Sequence, residues 1–419
     1  MRVILSVFEC NPYNGSDAYV GWSYAISLAR EHQVYALTRE ENRADISKYL
    51  EMNQDPAHQN IKFIFLKRSK FFSKYLYRVN RYCGFLGSYY AWQYSAYKAA
   101  KRICAEHAVD VCHHVSIADF RVVGYLRKCG RPFVFGPVGG GQDTPACLRH
   151  YIKGHEGFEI FRSLINWVCI RAPGYKKALQ HADVVYISNE ETLNYIGTRF
   201  KKIPEHFKLL TELCIDEQYL TDRAALVKEE KNVVHIVVAG RLIYRKGISL
   251  LLDALKYVET SEKYVVDIFG DGEEKDNLIK QSQENALENR VCFHGKVSYE
   301  RMQENYKAAD IFVLPSLRET TGTAVFEAMA NKLPVIALRQ NGVKNIVGQD
   351  SGILIDIQSR EQVLHDMAGA IECLVEDRKL RISLGEKGYQ KICKEYTWMN
   401  RTKEMTEVYK NLCAKEVVQ

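Results

Sequence analysis

Short, continuously apolar runs alternate with helical segments along the chain. In the first half the runs are Arg2–Phe8, Gln33–Thr38, Ile61–Leu66, Asp110–Val115, Pro132–Gly136 and Asp183–Ser188. In the second they are Val233–Gly240, Tyr264–Gly270, Val291–Gly295, Ile311–Pro315, Pro334–Leu338 and Gly352–Ile355. Unbroken apolar character, as opposed to alternation, marks parallel strands covered on both faces. The stretches between them are long enough for right-handed crossover helices. The pattern predicts two doubly wound, Rossmann-like α/β sheets in tandem. Thr211–Lys231, rich in charge and without an apolar run, reads as the linker, which divides the chain into domains 1–212 and 213–397. Two such domains are expected to face each other across a cleft, with ligands at the carboxyl ends of the strands.

Composition narrows the class. A chain of 419 residues is too long for one core. With 47% hydrophobic and 26% charged residues it is neither disordered nor fibrous. No run approaches the ~18 apolar residues of a membrane span. The opening MRVILSVFEC lacks a signal-length apolar region, so a cytoplasmic location is expected. The twelve cysteines occur singly, without CxxC or Cys/His zinc spacing, and are expected to be reduced thiols. A net charge of +7 is mild and implies no nucleic-acid partner. Its distribution is uneven: Ile61–Ala105 holds ten Lys/Arg, no Asp or Glu, and thirteen aromatics, among them Phe71, Phe72, Tyr75, Tyr77, Trp92 and Tyr94. That mixture suits an anionic membrane surface at which the protein would be peripheral. It equally suits a helix pair with inward aromatics and solvated lysines.

The loops after the second-half strands hold the candidate chemistry. Gly240 is followed by Arg241 and Lys246, two cations leading into a helix expected near Ile248, an arrangement that would take a diphosphate. Gly270 and Gly272, in FGDGEE, permit close backbone approach. In LPSLRETTGTAVFEAMA, Glu319 lies in a loop, Gly322 allows a tight turn, and the following helix carries Glu327. On a single helix, carboxylates eight residues apart would be ~12 Å apart by rise, too far to flank one bond as a hydrolytic pair. Hydrogen bonds to two parts of an extended ligand fit better. The amides of Thr320–Thr323 would face negative charge.

In order and spacing, the pieces GR…KG, FGDG, FHGKV, AADIFVLPS and E-x7-E, from about Val233 to Val347, resemble the retaining glycosyltransferases of family 4 (glycosyl transferases group 1), which have the GT-B architecture. The resemblance implies a nucleotide-diphosphate sugar bound to the second domain. Arg241 and Lys246 would neutralise its diphosphate, Glu319 would hold the transferred sugar, and Glu327 the ribose hydroxyls. The backbone near Lys296 would meet the base, and Thr321, Gly322 and Thr323 would supply amides to phosphate and sugar. It also implies that the helical segment 398–419 crosses back onto the first domain.

Three first-half segments extend the resemblance. In FECNPYNGSDAYVGW, Gly15 and Ser16 precede a helix expected near Val20 or Gly21; in the family this loop nears the donor phosphate. Ser16 or Asp17 would equally serve as an ordinary cap. VDVCHHVS ends a strand, and because adjacent strand residues face opposite ways, only one of His113 and His114 can enter the cleft directly. The family's catalytic-side His favours His114. In FVFGPVGGGQDTP, Gly139, Gly140 and Gly141 form either an acceptor-side anion nest or a flexible turn.

The combined expectation is a retaining, metal-independent hexosyltransferase without a cofactor. It would move sugar from a nucleotide sugar to a glycan or glycolipid acceptor in surface polysaccharide assembly. A GT-B nucleotide-sugar epimerase, or a non-catalytic partner of an active transferase, are the alternatives.

Overall fold

The structure, a computed structural model, describes residues 1–15, 17–68, 81–228 and 231–417. Ser16 and the 69–80 part of the basic stretch, with Lys70, Phe71, Phe72, Lys74, Tyr75 and Tyr77, lie outside the described residues. The chain divides into two compact units. The first comprises Met1–Gly141, Ser163–Glu212 and Trp398–Gln419; the second comprises Gln142–Arg162 and Leu213–Thr397.

Elements run in the order β1 (Arg2–Val7), α1 (Asp17–Ala29), β2 (Gln33–Arg39), α2 (Arg43–Met52), β3 (Ile61–Leu66), α3 (Arg81–Glu106), β4 (Val111–Ser116), β5 (Phe133–Val138), α4 (Glu156–Arg171), α5 (Tyr175–Gln180), β6 (Val184–Ile187), α6 (Glu190–Gly197) and β7 (Phe207–Leu209). There follow α7 (Glu217–Thr221), β8 (Val234–Ala239), α8 (Ile248–Ala254), β9 (Tyr264–Phe269), α9 (Lys275–Glu284), β10 (Val291–Gly295), α10 (Tyr299–Ala308), β11 (Ile311–Leu314), α11 (Thr323–Ala330), β12 (Val335–Leu338), α12 (Asn341–Val347), β13 (Gly352–Ile355), α13 (Arg360–Glu376), α14 (Arg378–Glu395) and α15 (Trp398–Val417).

Every apolar run falls on a strand whose ends lie within two residues of those expected. The sheets are ordered β3-β2-β1-β4-β5-β6-β7 and β10-β9-β8-β11-β12-β13. Their pairings are parallel. The short edge strand β7 escapes the pattern because Lys208 and Leu209 are exposed. The segment read as linker contains the short helix α7.

In the first unit α3 divides its aromatics. Tyr89 and Trp92 are buried beside Phe8, while Tyr90 and Tyr94 face solvent. The terminal helix α15 belongs to the same unit. Trp398 packs edge-on against Tyr24, and Arg401 donates to the Tyr24 hydroxyl (2.7 Å) and the Thr211 carbonyl (2.6 Å).

Residues 142–162, read as part of the first domain, belong to the second unit. Packing explains this: Leu148, Tyr151 and Ile152 enter the core formed by β8, β9 and α8, and Tyr151 donates to Asp253 at 2.8 Å. Among the described residues no helix is long and apolar enough to cross a membrane.

Candidate functional site

In the second unit the strand order reverses between β8 and β11, and the loops leaving their carboxyl ends meet there. This is the position at which doubly wound sheets bind ligands. Backbone contacts tie these loops to each other and to the segment after β12. Leu317 N donates to Arg245 O at 2.9 Å, and Gly342 N to Thr320 O at 3.1 Å. Gln340 adds side-chain bonds to the carbonyls of Ser316 and Leu317.

Across this junction Lys246 forms an ion pair with Glu319. Burial alone would raise the Glu319 carboxyl, but Lys246, Arg245 and the Ser316 hydroxyl outweigh it and hold the group below its ordinary value. Arg241 is exposed in the turn that leads to Lys246. The helix after Lys246 has only 7 residues. Its dipole is correspondingly small, so positive charge here comes chiefly from the two side chains. Gly270 is needed by the protein itself: a Cβ there would lie 1.8 Å from the Gly240 carbonyl. The nearness of these two glycines is thus set by strand-end packing.

Gly322 adopts φ 89° as the N-cap of α11, with Thr323 opening the helix and Thr321 buried. Glu327, one turn further on, is half-buried. Desolvation pushes its carboxyl up to about 7 against a hydrogen bond from Tyr306 and the charge of Arg223. Lys296 is exposed just after β10 and Gly295. Arg241, Lys246, Glu319, Thr321, Gly322, Thr323 and Glu327 therefore belong to one unit, on the loops and helix following β8 and β11.

A second tier was not legible in the sequence. Glu159 accepts from the Tyr244 hydroxyl (2.5 Å), Arg318 Nη2 (2.9 Å) and Arg162 Nε (3.0 Å). Arg318 immediately precedes Glu319, and Tyr244 lies in the Arg241–Lys246 turn. One buried carboxylate thus fixes both the loop after β8 and the loop after β11. Burial beside Arg162 lowers Arg318 to about 10. Gln142 donates to the Thr320 hydroxyl at 2.8 Å, so the segment after the three glycines also braces this loop.

In the first unit Gly15 is exposed, and a Cβ there would meet nothing within 4 Å. The helix after it starts at Asp17, earlier than expected. His113 and His114 do point to opposite faces, but both are fully buried because helices cover each face. His113 Nε2 lies 2.7 Å from the Gly136 carbonyl, which fixes it as donor, so Nδ1 accepts from the Tyr409 hydroxyl at 2.6 Å. His114 Nε2 meets the Tyr89 hydroxyl at 3.0 Å. Burial lowers the two imidazoles to about 4 and about 3. His114 is correspondingly a neutral core residue in this structure, and neither nitrogen is presented to solvent.

The glycine loop is not an open nest either. Gly139 N donates to Ala118 O (3.0 Å) and Gly141 N to the Thr192 hydroxyl (3.1 Å), while the Gly140 carbonyl accepts from Arg121. Two of its three amides are already satisfied within the unit. Folding also gathers three cysteines that are distant in sequence. Cys104, Cys112 and Cys129 place their sulfurs within 4.8 Å of one another.

Two doubly wound parallel sheets, with a cation–carboxylate pair at the switch point of the second, define a protein of GT-B architecture. Residues 220–391 match the family described as Glycosyl transferases group 1. Its fold resembles sucrose-phosphate synthase from Thermosynechococcus elongatus (TM-score 0.63, 19% identity, 99% of both chains). It also resembles HepE of Anabaena solved with UDP and glucose (TM-score 0.61, 16% identity, 98% of this chain and 100% of that one). In sequence it is similar to an uncharacterized glycosyltransferase of Methanocaldococcus jannaschii, 25% identical over 253 residues, 58% of this chain and 63% of that protein. The lipopolysaccharide core biosynthesis glycosyltransferase LpsE of Rhizobium meliloti is 30% identical over 176 residues, 42% of this chain and 48% of LpsE. The match therefore spans about half to just under two thirds of the length of these relatives.

Proposed function

We propose that this protein is a retaining glycosyltransferase. It moves a hexose from a nucleotide-diphosphate sugar to a hydroxyl of a glycan or lipid-linked glycan in surface polysaccharide assembly. The observation that carries the reading is the Lys246–Glu319 pair at the β8/β11 switch point, flanked by Arg241 and the capped start of α11. In the reaction the bond from the sugar's anomeric carbon to the diphosphate breaks, and negative charge gathers on the departing oxygen. Lys246, Arg241 and the amides at Thr321–Thr323 are placed to stabilise that charge, the kind of fixed electrostatic aid that lowers such barriers most. Glu319 orients the sugar, and Glu327 takes the ribose hydroxyls. The acceptor hydroxyl attacks from the leaving-group side and passes its proton to the departing phosphate. With cations in these places, no divalent metal is needed.

Similar proteins support a lipid-linked acceptor. One is the lipopolysaccharide enzyme already described, and another is the phosphatidylinositol N-acetylglucosaminyltransferase gpi3 subunit of Schizosaccharomyces pombe, 25% identical over 212 residues. The basic stretch 61–105 would bring a cytoplasmic enzyme to the inner face of the membrane, where such acceptors are concentrated.

The test is a nucleotide-sugar panel. Thermal shift identifies the donor, because binding to the native state raises its stability. Release of nucleotide diphosphate is then measured with and without glycan acceptor. Acceptor-dependent release with a new glycosidic bond is expected. Conversion of donor alone into an epimeric sugar would replace the transferase with an epimerase.

A further inference from the structure

We propose that the outward face of α4, together with a cavity at its end, is the surface by which this protein seats on an anionic lipid bilayer. This deepens the reading of a lipid-linked acceptor and shifts the main contact from the 61–105 stretch to a different helix. Within the first unit α4 buries Asn166 and Ile170 but leaves a stripe of apolar side chains outside. Its inward side chain Asn166 is buried, bonded to Arg121 Nε at 2.6 Å. Outward stand Leu164, Trp167 and Val168, 55%, 51% and 51% exposed. Residues at these spacings share one helix face. A helix of a water-soluble protein ordinarily turns such a stripe to the core, and contiguous exposed apolar patches mark interaction sites.

The electrostatics choose the occupant. From Ser163 to Lys177 the sequence has Arg171, Lys176 and Lys177 and no acid. The Arg171 guanidinium lies over the Trp167 ring, 4.4 Å from its centroid. Where α4 ends, a cavity of about 290 Å³ opens, lined by Leu86, Tyr90, Val123, Tyr125, Cys169 and Pro173 among others. That is at the small end of ligand pockets and fits part of a lipid chain. Its rim carries exposed Tyr90 and Tyr94 packed edge-on against Tyr125. Lys98 sits over Tyr94, and Arg127 and Lys128 over Tyr125. An apolar stripe, rings with polar tips and cations on flexible stems are together the composition of a helix lying in a membrane interface. Positive charge complements anionic headgroups.

The chain contains its own reporter. Trp22, Trp92 and Trp398 are buried, whereas Trp167 is half exposed, so a change in surface-tryptophan emission reports on α4. Full-length protein is titrated with phosphatidylglycerol/phosphatidylcholine vesicles and, as control, with phosphatidylcholine alone. A blue shift of Trp167 emission and co-sedimentation with the anionic vesicles are expected, both weakened by salt. Leu164→Glu/Val168→Glu should reduce the bound fraction at least tenfold, and Arg171→Gln by a smaller factor, with nucleotide release in free solution unchanged. Trp167→Phe should bind but lose the shift. Failure to sediment with anionic vesicles overturns the proposal, as does binding untouched by these substitutions. So does a lipid-free, concentration-dependent dimer that shields Trp167, which would assign the face to a second copy. Vesicle binding without turnover of any nucleotide sugar would keep this surface and remove the transferase; turnover without vesicle binding would do the reverse.

Discussion

Lys246, in the turn after β8, and Glu319, in the loop after β11, form an ion pair across the point where the order of the second sheet reverses. Lys246 thus holds a half-buried carboxylate in its charged form, and the proposed function gives it a second task, meeting the donor diphosphate. The two tasks separate experimentally. Arg241→Ala and Lys246→Ala should each lower turnover by about two to three orders of magnitude, the scale of one lost transition-state contact. Arg241 is exposed, so its loss should leave the melting temperature unchanged. Lys246→Ala leaves Glu319 without its partner and should cost about 1–3 kcal/mol of stability. Nucleotide-release kinetics and urea unfolding check both halves.

Glu327 gives the donor site a pH dependence. Its carboxyl is raised to about 7 by burial, so it binds a proton more tightly folded than unfolded. The stability it contributes is present below the ordinary carboxyl range and is lost as pH rises through about 7. Nucleotide binding should run the other way, because ribose hydroxyls donate best to the carboxylate. Affinity should strengthen as pH rises from 6 to 8, and Glu327→Gln should flatten the profile. Calorimetry at several pH values checks this.

Glu159 neutralises Arg162 and Arg318 together. Glu159→Ala removes the carboxylate that Arg318 pairs with in a largely buried site, while Arg162 keeps Asp143, and breaking such a buried pair costs about 3–5 kcal/mol. The residue bonds to Tyr244 and Arg318 and acts through the loops it braces. A folded, milder variant, Glu159→Gln, should therefore raise KM for the donor more than it lowers kcat.

Acid should unfold the first unit through its histidines. His113 and His114 are buried neutral, at about 4 and about 3. The unfolded chain takes up protons first, so this contribution is complete above about pH 6.5 and is lost as pH falls toward the folded values. Tyr409→Phe removes the hydroxyl that His113 Nδ1 accepts from, and should lower stability at neutral pH by about 1–3 kcal/mol. Denaturant midpoints between pH 7 and 4 measure both effects.

Metal removal is the simplest check on the charge argument. Activity should survive EDTA, since Arg241, Lys246 and backbone amides are expected to handle the diphosphate. Complete loss restored by Mn²⁺ or Mg²⁺ would show that ligands elsewhere are needed.

The sequence by itself determined every described strand but β7, the two sheets and the order of the motifs after the second-sheet strands. Buried parallel strands must be apolar throughout, and the residues that follow them sit at the sheet's carboxyl edge wherever the chain goes next. That is why Arg241, Lys246, Glu319 and Glu327 could be singled out from local pattern. Only the tertiary structure decided what depends on packing between distant segments. His114 could not be judged from its strand position, because whether a strand-end side chain meets solvent depends on the helices laid over it. The three glycines read as bare amides until Ala118 and Thr192 were seen to occupy two of them. Residues 142–162 follow a first-sheet strand in sequence but join the second unit, where Leu148, Tyr151, Ile152 and Glu159 find partners. The outward apolar face of α4 emerged the same way: periodicity shows that a helix has an apolar side, but only packing decides which side the rest of the protein covers.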